Sequence, residues 1–249
     1  MDNMLTQSIH LGIVCPMANE QDTAERFTKE ILRECNIFKK VSFFVVFDNS
    51  CTDDTINIEK SLAQADERIN VIWAPENKCI VDAYIRGYNE ALNADCDWIL
   101  EIDAGFSHQP SDMVRFIEKL NSGNNYDCIF GSRLCKGGEL SDLPLGRYIL
   151  SKWGTVVSNL LLGTTLSDMT SGYQLFKREA LQRVLDKGIK SKGHFFQTEI
   201  KAFCSNMNLA EVPIHYKSPS SNMNMKIIID AYYNLFMLFK MRVSGNLYL

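Results

Sequence analysis

Several classes of protein are disfavoured by what this sequence lacks. No run approaches the roughly 18 to 20 consecutive apolar residues that a membrane-spanning helix needs. Its first residues lack the basic stretch and apolar run of a secretory signal, so no signal peptide is expected. The 8 cysteines are scattered and include no Cys-x-x-Cys pair. Several fall in predicted strands or helices, so we expect reduced core thiols in a cytoplasmic protein.

The excess of one sign of charge over the other is also small. The formal net charge is -4, which disfavours a general nucleic-acid-binding protein. With 249 residues, 46% of them hydrophobic and 22% charged, the chain can bury an ordinary globular core. No Gly-x-Gly-x-x-Gly motif follows the first apolar run, so a Rossmann-type dehydrogenase is improbable.

Apolar runs alternate with helical patterns along the chain. Strands are predicted at 11–16, 41–47, 69–73, 98–102, 126–131, 170–177 and 210–216. Helices are predicted at 22–35, from about 79 to 93, at 147–162 and around 202–205. Alternation of strand and helix favours parallel pairing with right-handed crossovers. We therefore predict an α/β domain over residues 1–217, with a mostly parallel central sheet flanked by helices.

The last part of the chain, residues 218–249, is predicted to be a polar linker followed by a helix over 226–242. This helix is apolar on more than one face and carries cations at both ends. It could pack into the domain or against a second subunit, or it could lie in a membrane interface. The sequence leaves these alternatives open.

One candidate for the chemistry is Asp103. An apolar run from Trp98 to Ile102 precedes it, Gly105 interrupts the pattern, and Pro110 opens a new helical pattern. A carboxylate at the carboxyl end of a central strand faces the crevice in which open α/β sheets bind ligands. Such an acidic edge suits a metal ion that carries phosphates. A single aspartate that only caps a turn is the alternative.

A series of short motifs carries a family resemblance. They are Pro16-x-x-Asn-Glu20, Asp48-Asn-Ser-x-Thr-Asp-Asp-Thr55, Ala83-Tyr-Ile-Arg-Gly-Tyr88, Asp103-Ala-Gly, Gly131-Ser-Arg133, Lys136-Gly-Gly138, Arg147-Tyr-Ile-Leu-Ser151, Asp168-x-Thr-Ser-Gly-Tyr173, Phe195-Phe-Gln-Thr-Glu199 and Glu211-Val-Pro213. In this order they resemble family 2 glycosyltransferases of the GT-A fold, and most of all the dolichol- or polyprenyl-phosphate mannosyltransferases. The resemblance covers about residues 10–242.

The resemblance implies a binding site for a nucleotide-sugar donor. Its residues would be Pro16, Asn19, Glu20, Asp48, Asn77, Lys78, Asp82, Arg86, Asp103 and Ala104. Asp48 would accept a hydrogen bond from the imide of a base, which favours uracil or guanine over adenine. Its alternative is an N-cap or Asx-turn. Asp82 and Arg86 would line the sugar and diphosphate, or they would form a solvated pair.

The resemblance also implies a metal cofactor, Mg²⁺ or Mn²⁺, held by Asp103. Here the sequence departs from the family, because the usual Asp-x-Asp is Asp103-Ala104-Gly105 and Ser107 stands where a glutamine often follows. The ion could be held by Asp103, donor oxygens and water alone. Alternatively His108 or another side chain could substitute, or the site could need no metal. We expect a weakly held ion, because Mg²⁺ usually keeps several waters and one or two carboxylates suffice.

For the acceptor, the resemblance places Arg133 and Arg147 near the phosphate of a polyprenyl phosphate, with Ser151 one turn later. Asp168, Ser171 and Glu199 would bind sugar or organise loops. A phosphate oxygen is ionised at neutral pH and needs no general base, whereas a sugar hydroxyl would require Asp168 or Glu199 as base. The alternative for the arginines is a structural role.

We therefore expect an inverting enzyme that moves one sugar from a UDP- or GDP-sugar to polyprenyl phosphate at the cytosolic membrane face. The absence of a Gln-x-x-Arg-Trp signature favours single-sugar transfer. One alternative keeps the donor but has a sugar-hydroxyl acceptor in capsule or O-antigen assembly. Another is a non-catalytic nucleotide-sugar-binding protein. A homodimer is compatible with each of these.

Overall fold

The computed structural model describes residues 5–141, 145–217 and 225–248. Its strands are β1 (His10–Pro16), β2 (Lys40–Phe47), β3 (Ile69–Trp73), β4 (Trp98–Glu101), β5 (Cys128–Ser132), β6 (Glu139–Ser141), β7 (Gln174–Lys177), β8 (Leu209–Pro213) and β9 (His215–Lys217). Its α-helices are α1 (Ala24–Glu34), α2 (Thr55–Ala65), α3 (Ile80–Asn93), α4 (Met113–Leu120), α5 (Leu145–Leu162), α6 (Arg178–Lys187), α7 (Phe196–Phe203) and α8 (Met225–Val243).

Seven of these strands form the central sheet, in the order β3-β2-β1-β4-β7-β5-β8. All neighbours are parallel except β7, which runs antiparallel to both β4 and β5. A second sheet pairs β6 with β9 in parallel. The predicted fold class, a mostly parallel sheet flanked by helices, is confirmed.

Helices cover both faces of the sheet because alternate strand residues point to opposite sides. Ile13 and Leu100 pack with α1 and α4 in one apolar cluster. Val14 and Ile99 pack with α3, α6 and α7 in the other. Strands buried on both faces read as continuous apolar runs, which is how β1, β2 and β4 appear in the sequence.

Close packing of α3 on the sheet depends on Gly87. A Cβ atom at this position would lie 2.3 Å from Cγ1 of Val14. Any side chain there would therefore push the helix away from β1. The helix carries two buried tyrosines, Tyr84 and Tyr88. The Tyr84 hydroxyl donates to Asp103 in the loop after β4, and the Tyr88 hydroxyl donates to Glu101 in β4.

Two of the predicted strands differ from the structure by more than shifts of one or two residues at their ends. The strand predicted at 170–177 begins only at Gln174, since the preceding residues form a loop held by Asp168. The one predicted at 210–216 is divided at Ile214 between β8 and β9. The two halves pair with different sheets, which explains why one apolar run becomes two strands.

The C-terminal helix α8 packs against α5. Leu235 and Leu238 are buried in the same apolar cluster as α3 and α7. Arg242 donates from Nη1 to the carbonyls of Leu160 and Leu161, at 3.0 and 2.9 Å. Most of the predicted linker, residues 218–224, lies outside the described residues. Among the described helices, none combines the length and apolar character required to cross a bilayer.

Candidate active site

The candidate site lies at the edge of the sheet where the parallel strands end. The loops after β1, β2, β4 and β5 all leave the sheet there. Because β7 is antiparallel, its first residue lies at this same edge, and the loop 163–173 that precedes it joins the others. We call this edge, with these five loops and the loop after β3, the carboxyl edge. Topology thus brings the predicted donor and acceptor residues to one side of the sheet.

Asp103 is at the carboxyl edge and open to solvent, with a side chain that is 41% exposed. The hydroxyl of Tyr84 donates to its Oδ1 atom. Nδ1 of His108 lies 3.4 Å from its Oδ2. The His108 ring is buried against Tyr173 and Tyr216, and this burial lowers the pKa of the imidazole. Neighbours from the core therefore orient Asp103 while leaving it accessible.

A second carboxylate, that of Glu20, reaches Gly105 from the loop after β1. Gly105 has a φ of +71°, and a Cβ atom built on it would lie 2.6 Å from both carboxylate oxygens of Glu20. Across the described ranges, no three His, Cys, Asp or Glu side chains are grouped to hold a metal ion. Asp103 and Glu20 offer carboxylate oxygens, which suit Mg²⁺ or Mn²⁺ when phosphate and water supply the remaining ligands. The residues present fit a divalent ion brought in with a diphosphate.

On the donor side, Asn19 joins the loop after β1 to the loop after β2. Its Nδ2 donates to the Ser50 carbonyl at 2.9 Å, and its Oδ1 accepts from the Thr52 backbone N–H at 2.9 Å. Asp48 accepts from the backbone N–H of Ser50 at 2.8 Å, which is an Asx-turn. Pro16, the last residue of β1, is buried beneath these loops. The proposed base contact of Asp48 stays a prediction.

The other predicted donor residues surround the start of α3. Oδ2 of Asp82 accepts from the Lys78 backbone N–H at 2.8 Å. Arg86 pairs instead with Glu76 at 3.0 Å and Glu90 at 2.8 Å, so the alternative of an Asp82–Arg86 pair is wrong.

Two further residues, Asn77 and Ala104, were predicted to bind the nucleotide-sugar donor. Nδ2 of Asn77 is buried and makes no hydrogen bond within the described structure, so it is a donor available to a ligand. Ala104 is half-buried beside Asp103.

On the acceptor side, Arg133 and Asp168 form a buried bidentate ion pair. Nε and Nη2 of Arg133 lie 2.7 and 2.9 Å from the two carboxylate oxygens of Asp168. Burial opposes ionisation of Asp168, but the guanidinium prevails and holds the pKa of this carboxyl well below its usual range. Lys201 donates from below to the carbonyls of Asp168 and Ser171, at 2.8 and 2.9 Å. These cations fix the loop that precedes β7.

Three predicted acceptor-binding residues remain: Arg147, Ser151 and Glu199. Arg147 belongs to α5 by its backbone, and its side chain lies outside what the structure describes. Ser151 is half-buried one turn later on the same helix. Glu199 is buried and accepts from the backbone N–H groups of Lys190 and Ser191, at 3.0 and 2.9 Å. Of its two expected roles, Glu199 has the geometry of a loop-organising residue.

A buried polar network beneath the carboxyl edge was not predicted from the sequence. Glu101 is fully buried and accepts hydrogen bonds from Tyr88 and Gln197, with Gln174 at 3.4 Å. Burial raises the pKa of Glu101 to about 8. The available signal was a charged residue inside an apolar strand, because such a residue is buried and must find polar partners.

All 8 cysteines are free thiols. Five are buried, and the three that are partly exposed are Cys51, Cys79 and Cys135. Each of the three lies in the connection that follows a parallel strand, β2, β3 or β5. The accessible thiols therefore lie at the carboxyl edge, while burial raises the pKa of others such as Cys15 and Cys35.

A mostly parallel sheet with acidic residues at its carboxyl edge is shared by glycosyltransferases of the GT-A fold. Glucosyl-3-phosphoglycerate synthase from Mycobacterium tuberculosis, in complex with Mn²⁺ and UDP-glucose, aligns with a TM-score of 0.64 at 16% identity. The alignment covers 95% of this chain and 79% of that one. The complex of the same synthase with UDP also gives a TM-score of 0.64, at 15% identity, covering 95% and 80%. These likenesses show the fold.

The model of glycosyl transferase family 2 matches residues 12–185, and the chain belongs to this family. It is therefore a glycosyltransferase. Polyprenol monophosphomannose synthase from Mycolicibacterium smegmatis is 30% identical over 207 residues, which are 82% of this chain and 76% of that protein. Undecaprenyl-phosphate mannosyltransferase from Micrococcus luteus is 28% identical over 196 residues, 77% and 79% of the two chains.

Proposed function

We propose that this enzyme transfers one sugar from a UDP- or GDP-sugar to a polyprenyl phosphate, with inversion at the anomeric carbon. The observation that carries the proposal is the accessible Asp103 carboxylate on an edge shared by the nucleotide-side loops and the Arg133–Asp168 loop. The names of the two mannosyltransferase relatives support the lipid-phosphate acceptor. The divalent ion would act as a Lewis acid on the leaving diphosphate.

In this proposal the chain's own residues position the donor. Asp48 and Asn77 contact the nucleotide, and Asp103 faces the diphosphate. The loop after β1 is held against the loop after β2 by Asn19, so the donor would meet a preformed wall. Preorganisation of this kind converts binding energy into correct placement of the reacting atoms.

The buried carboxylates favour a phosphate acceptor over a sugar hydroxyl. A hydroxyl acceptor would need Asp168 or Glu199 as general base. Asp168 is held ionised by Arg133, which lowers its pKa and makes it a poor base, and it is fully buried. Glu199 is occupied by two backbone N–H groups. A phosphate oxygen attacks without a base, and a single displacement inverts the configuration.

Arg147 and Ser151 are proposed to bind the acceptor phosphate from α5. Arg133 contributes by holding the loop of Asp168 and Ser171, because its guanidinium is already engaged in a bidentate pair. A guanidinium binds phosphate with two parallel hydrogen bonds, which makes arginine better suited than lysine to this task.

We further propose that α5 and α8 rest on the cytosolic surface of the membrane that holds the acceptor. Together they expose Tyr148, Ile149, Trp153, Val156 and Leu160 on α5, and Ile229, Tyr232, Tyr233, Phe236 and Val243 on α8. We call this surface the α5–α8 face. The ammonium of Lys240 lies 4.5 Å from the centroid of the Phe236 ring. Aromatic side chains mixed with cations are typical of helices that lie in a membrane interface.

The test is transfer of radiolabelled sugar from a panel of UDP- and GDP-sugars to undecaprenyl phosphate in detergent, with soluble glycans as competing acceptors. We expect label in the lipid fraction. Arg147→Ala should lower that transfer about 10- to 100-fold, because a hydrogen-bonded charge contact to the phosphate is lost. It should leave the thermal shift caused by the nucleotide sugar unchanged.

Other outcomes would contradict the proposal. Label that enters only the soluble glycans would establish a sugar-hydroxyl acceptor. Nucleotide-sugar binding without transfer or hydrolysis of any donor would indicate a non-catalytic binding protein. The first outcome is read from the same reaction mixtures, and the second combines them with the thermal shift caused by the nucleotide sugar.

A further inference from the structure

We infer that Glu20 supplies the second carboxylate of the metal site, in place of the aspartate that the motif at 103–105 lacks. This inference rests on the proposed function, since the ion would arrive with the diphosphate of the donor. It assigns to the loop after β1 a role that belongs to the loop after β4 in an Asp-x-Asp motif.

The first support is the volume that Glu20 occupies. A Cβ atom at Gly105 would lie 2.6 Å from Oε1, 2.6 Å from Oε2 and 2.8 Å from Cδ of Glu20. Real Cβ atoms do not approach other heavy atoms so closely, so the carboxylate fills the space in which a side chain at 105 would begin. The two loops are neighbours because β1 pairs directly with β4. A carboxylate is therefore present near the expected place, delivered from a different strand.

The second support is that the protein holds Glu20 in position. Its backbone N–H donates to Oγ1 of the buried Thr55 at 2.8 Å. The hydroxyl of Thr23 donates to Oε2 of Glu20 at 2.8 Å. The preceding Asn19, at a φ of +59°, is tied to the loop after β2. Glu20 is therefore held through its backbone by Thr55 and through its carboxylate by Thr23, as a preorganised ligand should be.

The third support is the charge around the end of β1. Burial raises the pKa of the Cys15 thiol, and the carboxylates of Asp103, Glu59 and Glu20 raise it further. Asp103 and Glu20 belong to loops at the carboxyl edge, whereas Glu59 is a buried residue of α2. A diphosphate would be repelled from such an edge, whereas a divalent cation bound between carboxylates would neutralise both partners. One or two carboxylates are the usual protein contribution to a Mg²⁺ site that also binds phosphates.

His108 is a weaker candidate for the missing ligand. Its ring is 1% exposed and packs against Tyr173 and Tyr216. Its Nδ1 atom lies 3.4 Å from both the backbone nitrogen and Oδ2 of Asp103. These contacts suit a residue that supports Asp103 from the core.

The experiment measures Mn²⁺ affinity in the presence of saturating UDP, or GDP where UDP does not bind, by electron paramagnetic resonance of free Mn²⁺. Glu20→Gln keeps the shape of the side chain but removes its charge, so we expect Mn²⁺ to bind at least about 10-fold more weakly. Glu25→Gln, an exposed change on the following helix, is the matched control and should leave the affinity unchanged. The melting temperature of each variant shows that it is folded.

A second variant removes the carboxylate from position 20 and introduces one at position 105. In Glu20→Ala/Gly105→Asp the space near residue 105 is vacated and an aspartate is supplied at a φ that aspartate tolerates better than most residues. We expect Mn²⁺ affinity to return to within about threefold of the wild type, as two carboxylates are again present. Gly105→Asp alone should not improve binding, because its side chain would collide with Glu20.

The outcomes separate this inference from the proposed function. Equal Mn²⁺ affinity in Glu20→Gln and wild type would overturn the inference while sugar transfer stands. A wild type that binds UDP or GDP and transfers sugar but takes up no Mn²⁺ would also overturn it alone. A wild type that binds neither nucleotide and transfers no sugar would overturn the proposed function, and the inference with it.

Discussion

The ionisable side chains buried beneath the candidate site include Glu101, Arg133, Asp168 and Lys201. Buried charges are costly unless they are paired and hydrogen-bonded. Here Arg133 pairs with Asp168, and Lys201 donates to two carbonyls of the same loop. The cost is offset by contacts that fix the loop before β7. A loop held in this way can present Ser171 and the Asp168 segment without rearrangement on binding.

Glu101 makes the stability of the enzyme depend on pH. Burial raises its pKa to about 8, whereas the value is 4.5 in an unperturbed chain. Between these values the folded protein retains a proton that the unfolded chain has lost, so stability falls as pH rises, by up to about 1.4 kcal/mol per unit. Glu101→Gln abolishes this dependence. We expect the stability of wild type relative to the variant to fall by about 2 kcal/mol from pH 5.5 to 7.5.

Urea unfolding followed by tryptophan fluorescence measures this difference. The upper limit of pH 7.5 keeps Lys201 out of the comparison, because burial lowers its pKa to about 8 and it titrates above this range. Glu118→Gln, on the exposed surface of α4, controls for loss of a carboxylate as such. A constant difference between wild type and Glu101→Gln across the range would show that Glu101 is ionised throughout.

At the residue scale, the sequence predicted those site residues whose position follows from the residues next to them in the chain. Asp103 could be predicted because an apolar strand ends immediately before it. The contact between Glu20 and Gly105 could not, since it depends on β1 and β4 lying side by side. The partner of Arg133 was equally hidden, because Asp168 reaches it only through the reversed direction of β7.

The elements α5 and α8 pack on each other and turn apolar side chains outward. Arg242 on α8 binds the carbonyls near the end of α5, which joins the two helices. Trp153 is 63% exposed and Leu160 is 76% exposed. Exposed apolar surface of this extent marks contact with lipid or with another protein.

We expect Trp153→Glu to weaken binding to vesicles of phosphatidylglycerol and phosphatidylcholine at least about 10-fold, because a carboxylate replaces an interfacial aromatic and is repelled by anionic lipid. Sedimentation of protein with vesicles measures this. Transfer to a short-chain, water-soluble polyprenyl phosphate should be retained, since Trp153 is exposed and is not among the residues proposed to contact the donor or the acceptor phosphate.

Val114→Glu is the matched control for this prediction. Val114 is 48% exposed on α4, which packs on the opposite face of the sheet, and it should not affect vesicle binding. If Trp153→Glu instead dissociates a dimer in analytical ultracentrifugation and leaves vesicle binding intact, the α5–α8 face joins two copies of the chain.

Element type and order were largely predictable, because amphipathic helices and buried strands have different periods. Strand direction was not, since an apolar run such as that of β7 reads the same either way. The sheet of β6 and β9 was missed because each strand has 3 residues, too few to show alternation.

At the scale of the whole molecule, the antiparallel strand β7 is what makes a single site. It lies between β4 and β5. Because it runs antiparallel to both, the loop that precedes it is at the carboxyl edge. The Asp103 loop and the Arg133 loop are thereby separated by one strand and bridged by the Asp168 loop. A parallel strand at this place would have carried Asp168 to the opposite end of the sheet.

The C-terminal segment contributes to the core. Leu235, Leu238 and Leu247 are buried in the described structure. A chain that ends at Lys217 would lose these side chains, each worth about 1.5 to 3 kcal/mol. We expect its melting temperature to fall by at least about 8 °C, at roughly 2 to 4 °C per kcal/mol for a chain of this size. Differential scanning calorimetry tests this.

Leu238→Ala provides a milder version should the shortened chain aggregate. Loss of this buried side chain should cost about 2 to 5 kcal/mol. A shortened chain that melts with the full-length protein would instead establish residues 1–217 as an independent domain, as the sequence boundary at 218 suggested.

The placement of the thiols has a practical consequence for spectroscopy. Cys51, Cys79 and Cys135 stand along the carboxyl edge, and the other five are shielded inside the fold. Fluorophores or spin labels attached through maleimide chemistry would thus report from the rim of the cleft, with no background from the interior. Replacing two of the three by serine would leave one labelling site at a time. The signal of that label would then change as a substrate binds to the cleft or leaves it.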